Sequence, residues 1–248
     1  MAILLVKNAT ILTVDQALGD INGGDILIND GTIVDVGRGL QVPATAETID
    51  ATGMIVIPGL VNAHIHIWEL QLRGIGSDWI SSRDYHGNVH GNLAGHYEAD
   101  DVYLGNLVGA LNQINSGTTT VLDWCHVVRD AEMTDAAIDG LEEAGIRAVF
   151  ARGTHKPAVN ISGKPYWATP YPREELHRLR TGRFASDDRL VTLAMAILGP
   201  DHAQFDVCVE NFRLAKEYGL LSSAHTWARK GKRRNEDGMW QLQRMGLL

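Results

Sequence analysis

The 248-residue sequence has few cysteines and no long apolar segment. Its two cysteines, Cys125 and Cys208, are too few for a disulfide framework, so we expect both to be small core residues in a reducing compartment. It has no run of about 18 apolar residues that would span a bilayer, and the apolar start at residues 2–6 is too short for a secretory signal. We therefore expect a cytoplasmic protein without a membrane partner.

Positive charge is also scarce, because the formal net charge is -8. This balance disfavours nucleic acid as a partner on electrostatic grounds. The one basic run, at residues 229–234, is expected to be a solvated loop face; contact with an anionic substrate or an acidic segment is the alternative. A hydrophobic fraction of 45% and a charged fraction of 21% are those of an ordinary globular protein.

Residues 1–57 are predicted to form a small β-rich domain. Short apolar runs alternate there with turn residues, and Asn29-Asp30-Gly31 between two such runs is a hairpin signal, since these residues tolerate positive φ. The predicted strands are residues 3–6, 9–14, 25–28, 32–36 and 54–57.

Residues 58–248 show a different pattern, in which strands alternate with helices. The predicted strands are residues 60–65, 118–123, 148–151, 190–198 and 220–224. The predicted helices are residues 100–115, 134–144 and 205–218, with a last one from Asp237 through residue 243. This alternation implies a parallel sheet with right-handed crossovers. The predicted fold class is α/β: a partial (β/α)8 TIM-type barrel of about five βα units, preceded by the small β-rich domain.

Two connections, residues 67–99 and 154–188, are longer than packing requires, which is typical of functional loops. The first follows the clearest chemical motif, His64 and His66. Side chains alternate along a strand with period two, so both imidazoles point to the same side and can bind one ion. The preceding Pro58-Gly59 places the pair on a strand that follows a turn-rich segment.

Several segments together resemble the amidohydrolase superfamily, in the branch that contains cytosine, guanine and triazine deaminases and chlorohydrolases. They are residues 53–66, 72–74, 116–123, 145–148, 198–200 and 223–225. The resemblance implies a metal centre built from a His-x-His pair on strand one, a histidine on each of strands five and six, and an aspartate on strand eight. His64 and His66 match the first pair, and His225 matches the strand-five ligand.

The resemblance also implies the chemistry. Binuclear members usually carry a carboxylated lysine on strand four, and residues 190–198 contain no lysine, so one divalent ion is expected. Zinc suits neutral imidazoles, and Fe(II) is the alternative. Such an ion lowers the pKa of a coordinated water towards ~7. The implied function is hydrolysis of a C–N bond, or less often a C–Cl bond, of a small nitrogen heterocycle, most concretely hydrolytic deamination.

The sequence departs from the family pattern in two places. Ala228 stands where this branch commonly carries a glutamate proton shuttle. After strand five the sequence has one predicted helix before Leu248, so it supplies neither the strand-six histidine nor the strand-eight aspartate, and we expect a truncated chain. A homo-oligomer or self-association through open barrel edges is expected. The alternative function is a catalytically incompetent fragment, at most a metal-binding or self-associating protein.

Other candidate residues lie near the predicted strand ends, where barrel active sites are built. The weak acid-base candidates are Glu69, Asp123 and Asp201. The substrate-binding candidates are Glu69, Trp68, His126, His155 and His202. A packing or surface role is the alternative for each of them. His86, His90 and His96 lie in the first long connection and are expected to be lid residues rather than ligands.

Overall fold

The computed structural model describes residues 2–156, 164–226, 235 and 237–248. The chain divides into two compact units, Met1–Gly59 and Leu60–Leu248. Among the helices of the described residues, none has both the length and the apolar character needed to cross a membrane. Cys125 and Cys208 are free and buried, which confirms their expected place in the core.

The first unit is a five-stranded sheet. Its strands are β1 (Ile3–Ile11), β2 (Ile21–Asn29), β3 (Thr32–Gly37), β4 (Glu47–Asp50) and β5 (Ile55–Val56). The order is β3-β2-β1-β4, and β5 also pairs with β1. The predicted hairpin turn is present, with φ of 48° at Asp30 and 79° at Gly31.

Two details of the first unit differ from the predicted pattern. The predicted strands at residues 3–6 and 9–14 are one strand, β1, which is interrupted by a register shift around Asn8, a residue with φ of 65°. Strand β4 was not predicted, because all four of its residues are exposed and carry no alternating apolar pattern.

The second unit has a five-stranded parallel sheet whose order, β10-β9-β8-β7-β6, follows the chain. The strands are β6 (Leu60–Ile65), β7 (Thr118–Cys125), β8 (Arg147–Gly153), β9 (Val191–Ile197) and β10 (Leu221–Ala224). The main helices are α1 (Ala99–Asn115), α2 (Ala131–Ala144), α3 (Arg173–Thr181), α4 (Phe205–Glu217) and α5 (Gly238–Arg244). Helices between successive parallel strands confirm the predicted fold class.

The two long connections contain more regular structure than predicted. Helix α3 lies in the second one; it escaped prediction because only Leu176 and Leu179 mark its buried face. The first connection holds four short helical segments: Ile67–Leu72, Ser82–Tyr85, His86–His90 and Leu93–His96. These turns bring several side chains of the first connection back towards the carboxyl end of the sheet.

In the predicted helix 100–115, the spacing of Tyr103, Leu107, Leu111 and Ile114 indicates an apolar face that packs on the sheet, and this prediction was wrong in part. Leu111 and Ile114 are 47% and 39% exposed, whereas the buried face carries Gly105, Gly109 and Ala110. Small residues allow the backbone of α1 to come close to the segment after β6: a Cβ on Gly109 would lie 2.6 Å from Cγ2 of Ile67. Apolar spacing alone misses a face that is packed through glycine.

A similar close approach joins α1 and α2 and gives a stability prediction. A Cβ on Gly140 would lie 2.6 Å from the Tyr103 carbonyl oxygen and 2.9 Å from the Leu107 nitrogen, both backbone atoms. Gly140→Ala is therefore expected to cost about 1–3 kcal/mol of unfolding free energy, which lowers Tm by about 2–4 °C per kcal/mol in a chain of this size.

Thermal unfolding followed by circular dichroism measures this change. Gly95→Ala is the control, because a Cβ there meets no atom within 4 Å. An unchanged Tm for Gly140→Ala would contradict the close packing of the two helices.

Candidate metal centre

Three histidines meet at the carboxyl ends of the first and last strands of the parallel sheet. His64 lies in β6, His66 follows it, and His225 follows β10. Each offers a nitrogen that lies within 4.8 Å of the other two, and Nε2 of His64 is 3.0 Å from Nε2 of His225. Strands β6 and β10 are the two edges of the sheet, so this contact requires the sheet to curl as a barrel wall does.

The spacing and orientation of these rings fit a metal ion. Two nitrogens that each lie about 2.0–2.1 Å from a tetrahedral ion are separated by roughly 3.3 Å, close to the 3.0 Å between His64 and His225. Nδ1 of His66 lies 2.6 Å from the carbonyl oxygen of Trp124. A carbonyl only accepts, so the proton of His66 is on Nδ1 and Nε2 keeps its lone pair for a metal.

Burial keeps all three imidazoles neutral. Desolvation lowers the pKa of His66 to about 4 and that of His225 to about 3, and it also lowers the pKa of His64. The neutral imidazole is the form that binds a metal, so this donor set is prepared for a divalent ion at neutral pH.

A cavity of about 250 Å³ lies against this centre. His66 and His225 line it, together with His126 from the end of β7 and His202 from the segment after β9, two of the predicted substrate-binding residues. His86 and His90, expected in a lid, also line the cavity, as do Tyr85, Lys156 and Thr226.

A second polar group lies beside the three histidines and contains Glu69, His90 and His126. The Tyr85 hydroxyl donates to Oε1 of Glu69 at 2.6 Å and lies 3.2 Å from Nε2 of His90. Burial raises the pKa of Glu69 to about 7, although the Tyr85 hydrogen bond opposes the shift. Glu69 is thus a carboxyl group whose two protonation states are close in energy at neutral pH.

The other predicted site residues lie behind or beside the cavity wall. Trp68 is fully buried and donates its indole N–H to Nδ1 of His126 at 3.1 Å. Asp123 is fully buried and accepts the Ile67 backbone N–H at 3.0 Å, which ties the chain just after His66 to β7. Asp201 is also buried and is not one of the described residues that line the cavity.

Lys156 was missed in the sequence because it follows His155 without any motif. It lines the cavity, and its Nζ lies 5.8 Å from the centre of the Trp124 ring. Burial lowers its pKa to about 8, against the opposing attraction of Glu69.

His155 lies elsewhere, in a second cavity of about 190 Å³. The described residues that line it include Arg129, Arg152 and Lys164 and no acidic residue. Arg152 is 4% exposed and its Nε has no hydrogen-bond partner, and the same holds for the buried hydroxyl of Thr154. This cavity therefore presents unpaired donors and positive charge.

Comparison with known proteins decides the family. The amidohydrolase family model matches residues 55–239, three quarters of the chain. The chain belongs to the amidohydrolase family. Ala228 and the basic run at residues 229–234 lie outside the described residues, so their predicted places in this amidohydrolase stay predictions.

Two curated relatives of this amidohydrolase are deaminases. A 5'-deoxyadenosine deaminase of Methanosarcina barkeri is 33% identical over 87% of the chain and 45% of the relative. A 5-methylthioadenosine/S-adenosylhomocysteine deaminase of Desulforudis audaxviator is 37% identical over 60% of the chain and 33% of the relative. The chain thus spans between a third and just under half of the length of these relatives.

A solved structure shows the same fold. A mutant atrazine chlorohydrolase of Arthrobacter aurescens, complexed with zinc and atraton, superposes with a TM-score of 0.77 at 22% identity. The match covers 98% of the chain and 58% of the chlorohydrolase. The five βα units of this amidohydrolase therefore have the arrangement found in part of a larger barrel.

Proposed function

We propose that this amidohydrolase is a metal-dependent hydrolase of C–N bonds other than peptide bonds, and that its reaction is the hydrolytic deamination of a nitrogen heterocycle. The observation that carries the proposal is the convergence of His64, His66 and His225 at one end of the curled sheet. The deaminases among the curated relatives support the reaction type.

The three histidines would hold one divalent ion, with zinc as the first choice and Fe(II) as the alternative. When bound, the ion would polarise the scissile bond and lower the pKa of a coordinated water towards about 7. The chain's own contribution is orientation: the Trp124 carbonyl fixes the ring of His66, and Asp123 fixes the backbone that follows it.

Glu69 is proposed as the group that moves a proton during the reaction. It lies in the polar group beside the metal centre, and the Tyr85 hydroxyl holds one of its oxygens in place. Its pKa of about 7 is near the value at which a carboxyl group both accepts and gives a proton at neutral pH. Glu69 would thus act as the proton shuttle. Related enzymes of this branch commonly carry a glutamate for that purpose at the position where this sequence has Ala228.

The lining of the second cavity supports the proposal that the substrate carries an anionic group in addition to its heterocycle. Arg152 and Thr154 offer buried donors without partners, and Arg129 and Lys164 add positive charge. S-adenosylhomocysteine, named for one relative, combines an aminopurine with a terminal carboxylate. An aminopurine nucleoside with such a substituent is therefore the substrate class that we favour, ahead of a neutral triazine.

Arg152→Met is expected to weaken binding of S-adenosylhomocysteine by roughly 10- to 150-fold, since a hydrogen bond to a charged group contributes about 1.5–3 kcal/mol. Binding of 5'-deoxyadenosine, which lacks the carboxylate, should change by less than about 3-fold. Isothermal titration calorimetry on the zinc-loaded chain measures both affinities.

The control for Arg152→Met is Arg173→Met, which removes an exposed guanidinium paired with Glu217. It should leave both affinities unchanged. If Arg152→Met weakens the binding of both ligands equally, Arg152 does not recognise the carboxylate, and the proposed anionic substituent is wrong.

The proposed function itself is tested by ammonia release. The panel contains 5'-deoxyadenosine, S-adenosylhomocysteine and an aminotriazine, each with zinc and with a chelator. The assay uses a polypeptide extended to the length of the curated relatives. Zinc-dependent release from at least one compound is expected. A zinc-loaded protein that releases ammonia from none of them would contradict the proposal.

A further inference from the structure

The polar group of Glu69, His90 and His126 resembles a second metal site at first sight. One ligand atom of each residue lies within 4.8 Å of the others, and both histidines are buried. A carboxylate and two imidazoles form a donor set that zinc accepts. Whether this group binds a metal depends on where the histidine protons are.

Trp68 fixes the proton of His126. An indole N–H only donates, and Nε1 of Trp68 lies 3.1 Å from Nδ1 of His126, so Nδ1 must accept. A nitrogen that accepts carries no proton, so the ring proton of His126 is on Nε2. A metal on Nε2 would move that proton to Nδ1, where it would face the Trp68 N–H.

The contrast with His66 is direct. Nδ1 of His66 faces a carbonyl oxygen, which accepts a proton and frees Nε2 for an ion. Nδ1 of His126 faces a donor, which has the opposite effect. The two rings are nevertheless neighbours, stacked with their centres 4.3 Å apart and their planes at 14°.

Hydrogen bonds also account for the rest of the group. The Tyr85 hydroxyl has one hydrogen, which goes to Oε1 of Glu69 at 2.6 Å. Its oxygen is then left to accept from Nε2 of His90 at 3.2 Å. This chain of donors and acceptors joins Glu69, Tyr85 and His90 without a cation.

One donor is left over. His126 is 1% exposed, it lines the cavity beside His66, and the described residues give its Nε2–H no hydrogen-bond partner. A donor that the fold fixes at a cavity wall and leaves without a protein partner is available to a ligand that supplies the acceptor.

We propose that His126 is a fixed hydrogen-bond donor of the substrate pocket: Trp68 holds it as the Nε2–H tautomer, and that N–H binds a ring nitrogen or carbonyl oxygen of the heterocycle. This inference rests on the proposed function for its ligand. Trp68 is a positioning residue in this scheme, since it acts only through His126.

The tautomer is measured directly by ¹⁵N NMR of the histidine side chains in the labelled chain. Nδ1 of His126 is expected to give the signal of an unprotonated nitrogen and Nε2 that of a protonated one. On addition of zinc alone, the signals of His64, His66 and His225 should change, while the tautomer of His126 stays the same. A protonated Nδ1 on His126, or zinc bound to it, would overturn the proposal.

Trp68→Phe removes the indole N–H and keeps an aromatic ring in the core. His126 should then become a mixture of tautomers. The control is Trp240→Phe, at a side chain that is 65% exposed. A pure Nε2–H tautomer in folded Trp68→Phe would show that Trp68 does not fix the proton; if Trp68→Phe fails to fold, the result from the natural chain still decides.

Binding to the zinc-loaded chain tests the ligand half, with adenosine and its 1-, 3- and 7-deaza analogues as probes. One of these analogues lacks the ring nitrogen that accepts from Nε2–H of His126. It should bind roughly 5- to 150-fold more weakly than adenosine, because the complex then leaves a buried donor unpaired. His126→Phe should remove this discrimination, and His126→Gln, which keeps a donor, should retain part of it.

The outcomes separate the two proposals. If neither adenosine nor an aminotriazine binds, both the proposed function and the role of His126 are wrong. If adenosine binds but no analogue is discriminated, the role of His126 alone is wrong.

Discussion

His66→Ala is expected to weaken zinc binding by the 248-residue chain at least ~100-fold, because loss of an outer hydrogen bond to a metal ligand alone costs about 10- to 100-fold. Among the three candidate ligands, His66 is the one whose ring lies against a backbone carbonyl of the described residues, that of Trp124 at 2.6 Å. Its neutral state persists at neutral pH, since burial lowers its pKa to about 4. Titration with zinc against a competing chelator measures the affinity.

The matched control is His177→Ala, which removes an exposed histidine whose Nδ1 lies 3.2 Å from the Tyr218 hydroxyl. It should leave zinc binding unchanged. If the two variants bind zinc equally well, the zinc ligands are elsewhere in the chain.

Ammonia release by the 248-residue chain is expected to be ~10²- to 10⁴-fold slower than by a polypeptide extended through strand eight of the family barrel. The resemblance places on strand eight an aspartate that binds the metal and orients its water, and loss of one group that assists proton transfer costs about this factor. The resemblance assigns a strand-six histidine and a strand-eight aspartate to the metal centre, and the sequence through Leu248 supplies neither. Loss of metal ligands adds to this factor.

The comparison uses equal concentrations of the two polypeptides, saturating zinc and the same aminopurine and aminotriazine panel. In the longer polypeptide, Glu69→Gln should again cost about 10²- to 10⁴-fold. Equal rates for the short and long polypeptides would contradict this expectation and would place the remaining metal ligands within residues 1–248.

Much of the fold could be predicted from the sequence because its signals are local. The five parallel strands were found from apolar runs followed by turn residues, and the β6 bounds are as predicted. His64 and His66 followed from the period-two geometry of a strand. The buried face of α1 could not be predicted, since Gly105 and Gly109 are defined by what approaches them rather than by their hydrophobicity.

The rest of the site depends on tertiary contacts. Tyr85 and His90 reach the cavity only because the first long connection folds into short helical turns. Lys156 has no motif around it, and the tautomer of His126 depends on an indole 58 residues away in the sequence. Such features are set by where loops pack, which no spacing rule in one sequence describes.

The proposed function depends on a divalent metal centre formed by His64, His66 and His225. Its most direct test is a crystal structure of the zinc-loaded chain with anomalous data collected at the zinc edge. We expect one anomalous peak per chain, about 2.0–2.1 Å from a nitrogen of each of these three histidines. A single peak among Glu69, His90 and His126 instead, or no peak near His225, would contradict it.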